Sequence, residues 1–220
     1  MALTKFNYNS FDVTTAASKG LAFNSSANGF ETSSATSMTL IKTLTASSSS
    51  TLSFVDGSSD VVLDNTYPVY MFKFINIHPA TNEAYLSFQG NAAGGSGYNE
   101  TMTTTYFYAR QDESGGNTAL SYDTGSDLAQ GTDFHKISQG IGNGNDESAS
   151  GTLMLFNPSS TTFTKHFISR VSTYEDANYI YDIHTAGYFN TTSAIDEIQF
   201  KMTSGNMDSG TIKLYGIKDS

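Results

Sequence analysis

The sequence predicts an all-β protein: a two-sheet antiparallel sandwich of jelly-roll type over residues 38–220, with an extended N-terminal arm over residues 1–37. Three observations carry that expectation. From Met38 onward, short runs of alternating apolar and polar residues are separated by clusters of Gly, Ser, Asn and Pro, the signature of strands and turns. No segment holds the helical period for more than a turn or two. The chain has 15 Phe and 13 Tyr but only 15% charged residues, so a bulky core is combined with a surface solvated by hydroxyls and amides. Such a surface suits strands better than exposed helices.

The elements follow in order. Residues 1–37 keep neither period, and their apolar residues Phe6, Phe11, Leu21, Phe23 and Phe30 are widely spaced. A free tail gains nothing from scattered aromatics, so these five are candidate docking residues, on other subunits or on the domain itself. A strand is expected over 39–46 and a second over 51–55, across the tetraserine link at 47–50. "YPVYMFKFINIHP" reads as a central strand, with Tyr70, Phe72 and Phe74 on one face and Met71, Ile75 and Ile77 on the other, both buried. "AYLSFQGN" and 103–110 are further strands, the second aromatic. Residues 111–131 read as a long loop with one helical turn at Asp127–Gln130, followed by a short strand in "TDFHKIS" and a loop in "QGIGNGNDESASG". Two strands then flank a turn at Asn157–Ser160, where Pro158 takes the second position. "NYIYDIHTAGYF", "AIDEIQFKM" and "TIKLYGI" complete about ten strands. In the last of them Ile212 and Leu214 are expected inward and Lys213 outward.

Charge and composition exclude several function classes. With 11 basic against 21 acidic residues, the net charge of −10 disfavours nucleic acid and anionic membrane surfaces. Without cysteine there are no disulfides and no thiolate zinc sites. No apolar run has the length of a bilayer span or a signal-peptide core, so membrane insertion is not expected.

Catalytic chemistry finds little support. The acid pairs Asp112–Glu113, Asp146–Glu147, Glu175–Asp176 and Asp196–Glu197 are adjacent in sequence, and neighbours on a strand point to opposite faces. His78, His135, His166 and His184 form no short-spaced pair, and there is no G-x-S-x-G elbow. Asn143, Asn145, Asp146 and Glu147 gather oxygens in one loop, but not at EF-hand spacing. No enzyme, cofactor or metal is therefore expected. Tyr106 and Tyr108, with Tyr179 and Tyr181, share faces at two-residue spacing; exposed they would make a glycan platform, buried they are structural. The absence of Trp favours the structural alternative.

Three stretches, "LIKTLTASSSSTLSFVDG", "FNPSSTTFTKHF" and "FNTTSAIDEIQFKMTSGNMDSGTIKLYGI", resemble a family of tailed-phage virion structural proteins common among marine and cyanobacterial phages. The resemblance spans roughly residues 38–220 and is most characteristic at "SGTIKLYGI". It implies a non-enzymatic subunit of the virion, a tail appendage or fibre or a capsid knob or decoration, assembled in the host cytoplasm. Its partners would be other capsid or tail proteins and its own copies, with a trimer as the first expectation, and residues 1–37 would attach it. The alternative is a receptor-binding module for host surface glycan. Its contacts would come from loops 91–101, 111–131 and 139–150, with Tyr98, Tyr122, Asp112 and Asp146 gathered at an exposed tip.

Overall fold

A computed structural model describes residues 20–23, 26, 29–33 and 37–218. The chain divides into two compact units, Met1–Ser37 and Met38–Ser220. In the first, β1 (Gly20–Phe23) pairs antiparallel with β2 (Phe30–Ser33), and the rings of Phe23 and Phe30 stack at 4.9 Å. A hairpin thus occupies part of a segment in which no strand period is visible. Phe6 and Phe11 lie outside the described residues.

The second unit holds thirteen strands and, among the described residues, no helix. They are β3 (Met38–Thr45), β4 (Leu52–Val55), β5 (Val69–Pro79), β6 (Leu86–Ala92), β7 (Met102–Asp112), β8 (Thr118–Tyr122) and β9 (Ala129–Gly131). Then come β10 (His135–Lys136), β11 (Ala149–Phe156), β12 (Lys165–Glu175), β13 (Tyr179–Phe189), β14 (Ile195–Met202) and β15 (Met207–Ile217). Two antiparallel sheets result. The larger runs β3-β15-β5-β11-β12-β13-β7-β8, with β9 also on β7, and the smaller runs β10-β6-β14-β4.

The pairings are nested. β3 pairs with β15, β4 with β14, β5 with β11, and β6 with β10, as in one long ribbon of strands rolled up on itself. Two insertions, β7–β9 and β12–β13, add their strands to the larger sheet beyond β11. The sheets meet through aromatic side chains. Phe54 and Phe200 of the smaller sheet lie 5.2 Å from Phe72 of the larger, and Phe88 lies 4.9 Å from Phe167. Each fully buried ring contributes about 1.5–3 kcal/mol.

Three expectations need correction. Residues 111–131 are not one loop: β8 and β9 lie there, both on β7, and the turn expected at Asp127–Gln130 is strand from Ala129. The strand in "TDFHKIS" shrinks to two residues. On β5, Ile77 lies with Tyr70, Phe72 and Phe74 in the core, while Lys73 is exposed and Met71 and Ile75 are half-buried. The cause is Asn76, whose left-handed backbone (φ 50°) adds a residue to β5 and moves Ile77 to the other face.

The closing strand is central, between β3 and β5, with Ile212 and Leu214 fully buried. Its two glycines have separate reasons. Gly210 takes φ +117° and a Cβ there would lie 2.6 Å from the Asn76 carbonyl oxygen. Gly216 leaves the space that the Tyr67 ring fills.

Candidate functional site

One end of the larger sheet brings together a row of tyrosines and a rim of acids. The β7–β13 register sets Tyr181 opposite Arg110 and Ile183 opposite Tyr108, all on the inner face. Tyr106, Tyr181 and Ile183 form a small core of their own, with Tyr108 and Tyr179 half-buried against it. The Tyr106 hydroxyl donates to the Ser138 carbonyl at 2.9 Å, and burial pushes its pKa above the usual phenol value. The Arg110 guanidinium lies 5.0 Å over the Tyr179 ring and donates to the Tyr181 hydroxyl at 3.1 Å. Asn117 donates to the Tyr179 hydroxyl at 2.8 Å. These tyrosines are therefore structural: Tyr106 and Tyr181 are buried, and a guanidinium occupies the Tyr179 face a sugar would stack on.

Beside this row, the carboxylates of Glu83, Glu175 and Asp176 come within 4.8 Å of one another. Adjacent acids converge here because β12 ends at Glu175 and the chain turns, with Asn178 N–H donating to the Glu175 carbonyl at 3.1 Å. Burial, then the neighbouring Asp176 and Glu83 charges, raise the Glu175 pKa. Oxygen donors of this kind suit a hard divalent cation, but three side chains supply fewer ligands than the six to eight calcium takes. Across the rim, the Tyr174 hydroxyl donates to Glu113 at 3.0 Å. Tyr174, Gln111, Asp112, Glu113 and Ile180 line an open cleft of about 490 Å³.

The sequence candidates distribute unevenly over this geometry. Asp112 lies in the cleft, but its carboxylate accepts from Ser114 Oγ and from the N–H groups of Gly116 and Asn117, closing its own turn. Asp146 is exposed in the 142–148 loop, close enough for its charge to act on Tyr174. In that loop Glu147 turns inward to accept from Gly144 N–H, which spends the most calcium-like carboxylate on the turn. Tyr98 is elsewhere, half-buried beside Ser53, Glu197 and Gln199 of the smaller sheet, and burial raises its pKa. Tyr122 sits on the edge strand β8 and donates to Asp127. Asp112 and Asp146 thus share the rim around Tyr174, and Tyr98 and Tyr122 do not join them. Among the described arm residues, Leu21, Phe23 and Phe30 are exposed on the hairpin.

The histidines do not converge either. His78 contacts the Gly144 carbonyl at 3.0 Å, His166 packs against Tyr188, and His184 stacks flat on Phe107 beside Asp182. His135 is fully buried between Phe88 and Phe167. The residue that sequence reasoning missed is Glu83. It stands alone in a turn far from Glu175, and no local pattern marks it.

The outer face of the larger sheet is a second candidate surface. One cross-strand row reads Leu40–Tyr215–Met71–Met154–Ile168–Ala186, across six strands. Beside it, Met38, Ile217, Val69 and Phe156 form another. Ile168 is 55% exposed and Leu40 50%. On the other side of the first row Lys213 and Lys73 stand directly opposite each other. Among the described residues neither has an acidic partner within ion-pair distance.

Compared with family models, with curated proteins and with solved structures, the chain matches none. No helix among the described residues is long and apolar enough to cross a membrane.

Proposed function

We propose that the chain is a non-enzymatic structural subunit of a tailed-phage particle, a tail appendage or fibre or a capsid knob or decoration. We read the sandwich as a jelly roll, supported by the nested pairings of β3/β15, β4/β14, β5/β11 and β6/β10. That architecture serves viral capsid and lectin domains alike, so it narrows the function without assigning it.

The observation that carries the proposal is the outer face of the larger sheet. Antiparallel sandwiches ordinarily turn polar residues outward, whereas six strands here line up an outer apolar row, exposed at Leu40 and Ile168 and half-buried between and beyond them. A surface of that kind is covered in an assembly. Residues 1–37 are the proposed attachment segment, and the subunits are proposed to form a homo-oligomer, a trimer by analogy with phage fibres and knobs. The test is made on purified virions. Peptides of this chain should persist through density-gradient purification, and electron cryomicroscopy should show the sandwich on shell or tail. Particles free of the chain would overturn the proposal. Deleting residues 1–37 should leave a folded sandwich that no longer joins the particle, measured by circular dichroism and by co-sedimentation.

A second reading, recognition of host glycan, draws on the cleft at the ends of β7, β12 and β13, where Asp112, Glu113 and Tyr174 meet. Binding of host lipopolysaccharide to the isolated protein, lost in Tyr174→Ala, would favour it.

A further inference from the structure

We propose that β8 is a self-pairing edge: two copies of this chain join antiparallel about a two-fold axis at Leu120, making one continuous sheet from their two larger sheets.

The first support is the direction of the backbone groups. β8 ends the larger sheet, paired only with β7. Asp123 N–H donates to the Tyr106 carbonyl and Asp112 N–H to the Asn117 carbonyl, so odd-numbered residues face β7 with their hydrogen-bonding groups. The N–H and C=O groups of Thr118, Leu120 and Tyr122 therefore point to the open edge.

The second support is the lack of any protection there. Natural edges are blunted by charge, proline or a bulge. Residues 118–122, "TALSY", carry no charge and no proline, and their register with β7 is unbroken. The opposite edge, β3, has both Lys42 and a register shift against β15. Apolar side chains stand exposed along the unprotected edge: Leu120 is 78% exposed, Tyr122 50%, and Phe107 across the ladder 40%.

The third support is self-complementarity. An antiparallel pair centred on Leu120 sets it against the partner's Leu120 and each Thr118 against the partner's Tyr122. Both backbone groups of all three residues are then used. The strand itself is neutral in a chain of net charge −10, so two copies meet there without opposing charges across the seam. Asp123 and Asp127 flank the Tyr122 end, which lies beside the partner's 112–117 turn with its two acids, so salt should strengthen the pairing by screening them. The seam is small against the roughly 800 Å² per partner of a stable complex, so the dimer is weak and reversible in solution. Copies already held side by side, at an effective concentration in the millimolar range, would pair there readily. That last step rests on the assembly role proposed above; the pairing itself does not.

Sedimentation of the full chain tests it. The wild type should pass from monomer to dimer between about 10 μM and 1 mM, and more readily at high salt. Leu120→Pro removes only an outward-facing N–H and spares the β7 ladder, and Leu120→Lys leaves the backbone intact while adding a charge. Each should weaken association at least about tenfold, while Thr45→Lys, at an exposed position of the other edge outside the apolar row, leaves it unchanged. A wild type monomeric throughout, or a dimer that survives both Leu120 variants, would overturn the inference. Dimerisation by β8 in a protein absent from virions would sink the particle role and leave the edge standing.

Discussion

Acid should loosen this fold through a single imidazole. His135 is fully buried on β10, between the rings of Phe88 and Phe167, with a 3.3 Å contact from Nδ1 to Thr104 Oγ1. Its Nε2 has no hydrogen-bond partner, and Lys136 is the adjacent residue. Burial lowers the pKa from 6.5 to about 3, opposed in part by the Ser126 backbone and reinforced by the Lys136 charge. The unfolded chain therefore takes up the proton first. Stability from the neutral ring is complete above pH 6.5 and is lost as pH falls from there towards 3. Each pH unit in that window removes roughly 1 kcal/mol or a little more, so pH 4.5 removes about 3 kcal/mol relative to pH 7.5.

Urea denaturation of the wild type and of His135→Phe, at both pH values, isolates this contribution. Other titrating groups act equally in the two proteins and cancel. Among them Glu175 and Asp196, whose pKa values burial raises, work in the opposite direction. The wild type should lose about 3 kcal/mol more than the variant. Equal losses in the two proteins would refute the reasoning, because a proton that costs nothing to place cannot be entering a dry aromatic site.

Other consequences are mechanical. Phe88→Ala empties the space among His135, Phe167, Phe189 and Phe200, whose centroids lie 4.9–6.2 Å away, and should cost about 3–5 kcal/mol in urea denaturation. Gly187→Ala would place a Cβ 2.7 Å from the Thr103 carbonyl oxygen and from the Phe167 ring, and should destabilise by about 1–3 kcal/mol in the same measurement. Gln89 donates to the carbonyls of Glu100, Thr132 and Asp133, so Gln89→Ala should cost about 1–3 kcal/mol. Hydrogen exchange should quicken around residues 93–101 and 132–134, and an unchanged pattern there would count against this anchoring.

What could be read in the chain was local. Alternation in "TLIKTLT", "VYMFKF" and "TIKLYGI" exposes a face period within each strand, and the observed strands stand where those runs are. What could not be read depends on partners distant in sequence. β8 and β9 are strands because β7 offers them an edge, and "TALSY" is too short to declare itself. Every residue of β6 is buried, polar Ser87, Gln89 and Asn91 included, because Gln89 ties loop carbonyls to a strand already lying on the core. Ile77 changes face through one left-handed asparagine, which alternation does not foretell. At the rim, the pairing of Glu175 with Asp176 is visible in the sequence, but their convergence requires a turn, and Glu83 reaches them only through the fold.

The nested order of strands also sets a timetable. β3 and β4, the first strands of the sandwich, wait for β15 and β14, the last, and the central place between β3 and β5 stays empty until Met207–Ile217 has been made. Contacts that close such long loops come at a high entropic cost before they are rewarded, so folding should be slow and should wait until β15 has been made. Until then the nascent chain carries its aromatic strands with open edges, a state in which crowding by sister chains favours misassembly. The chain would spend its most vulnerable moments before β15 emerges.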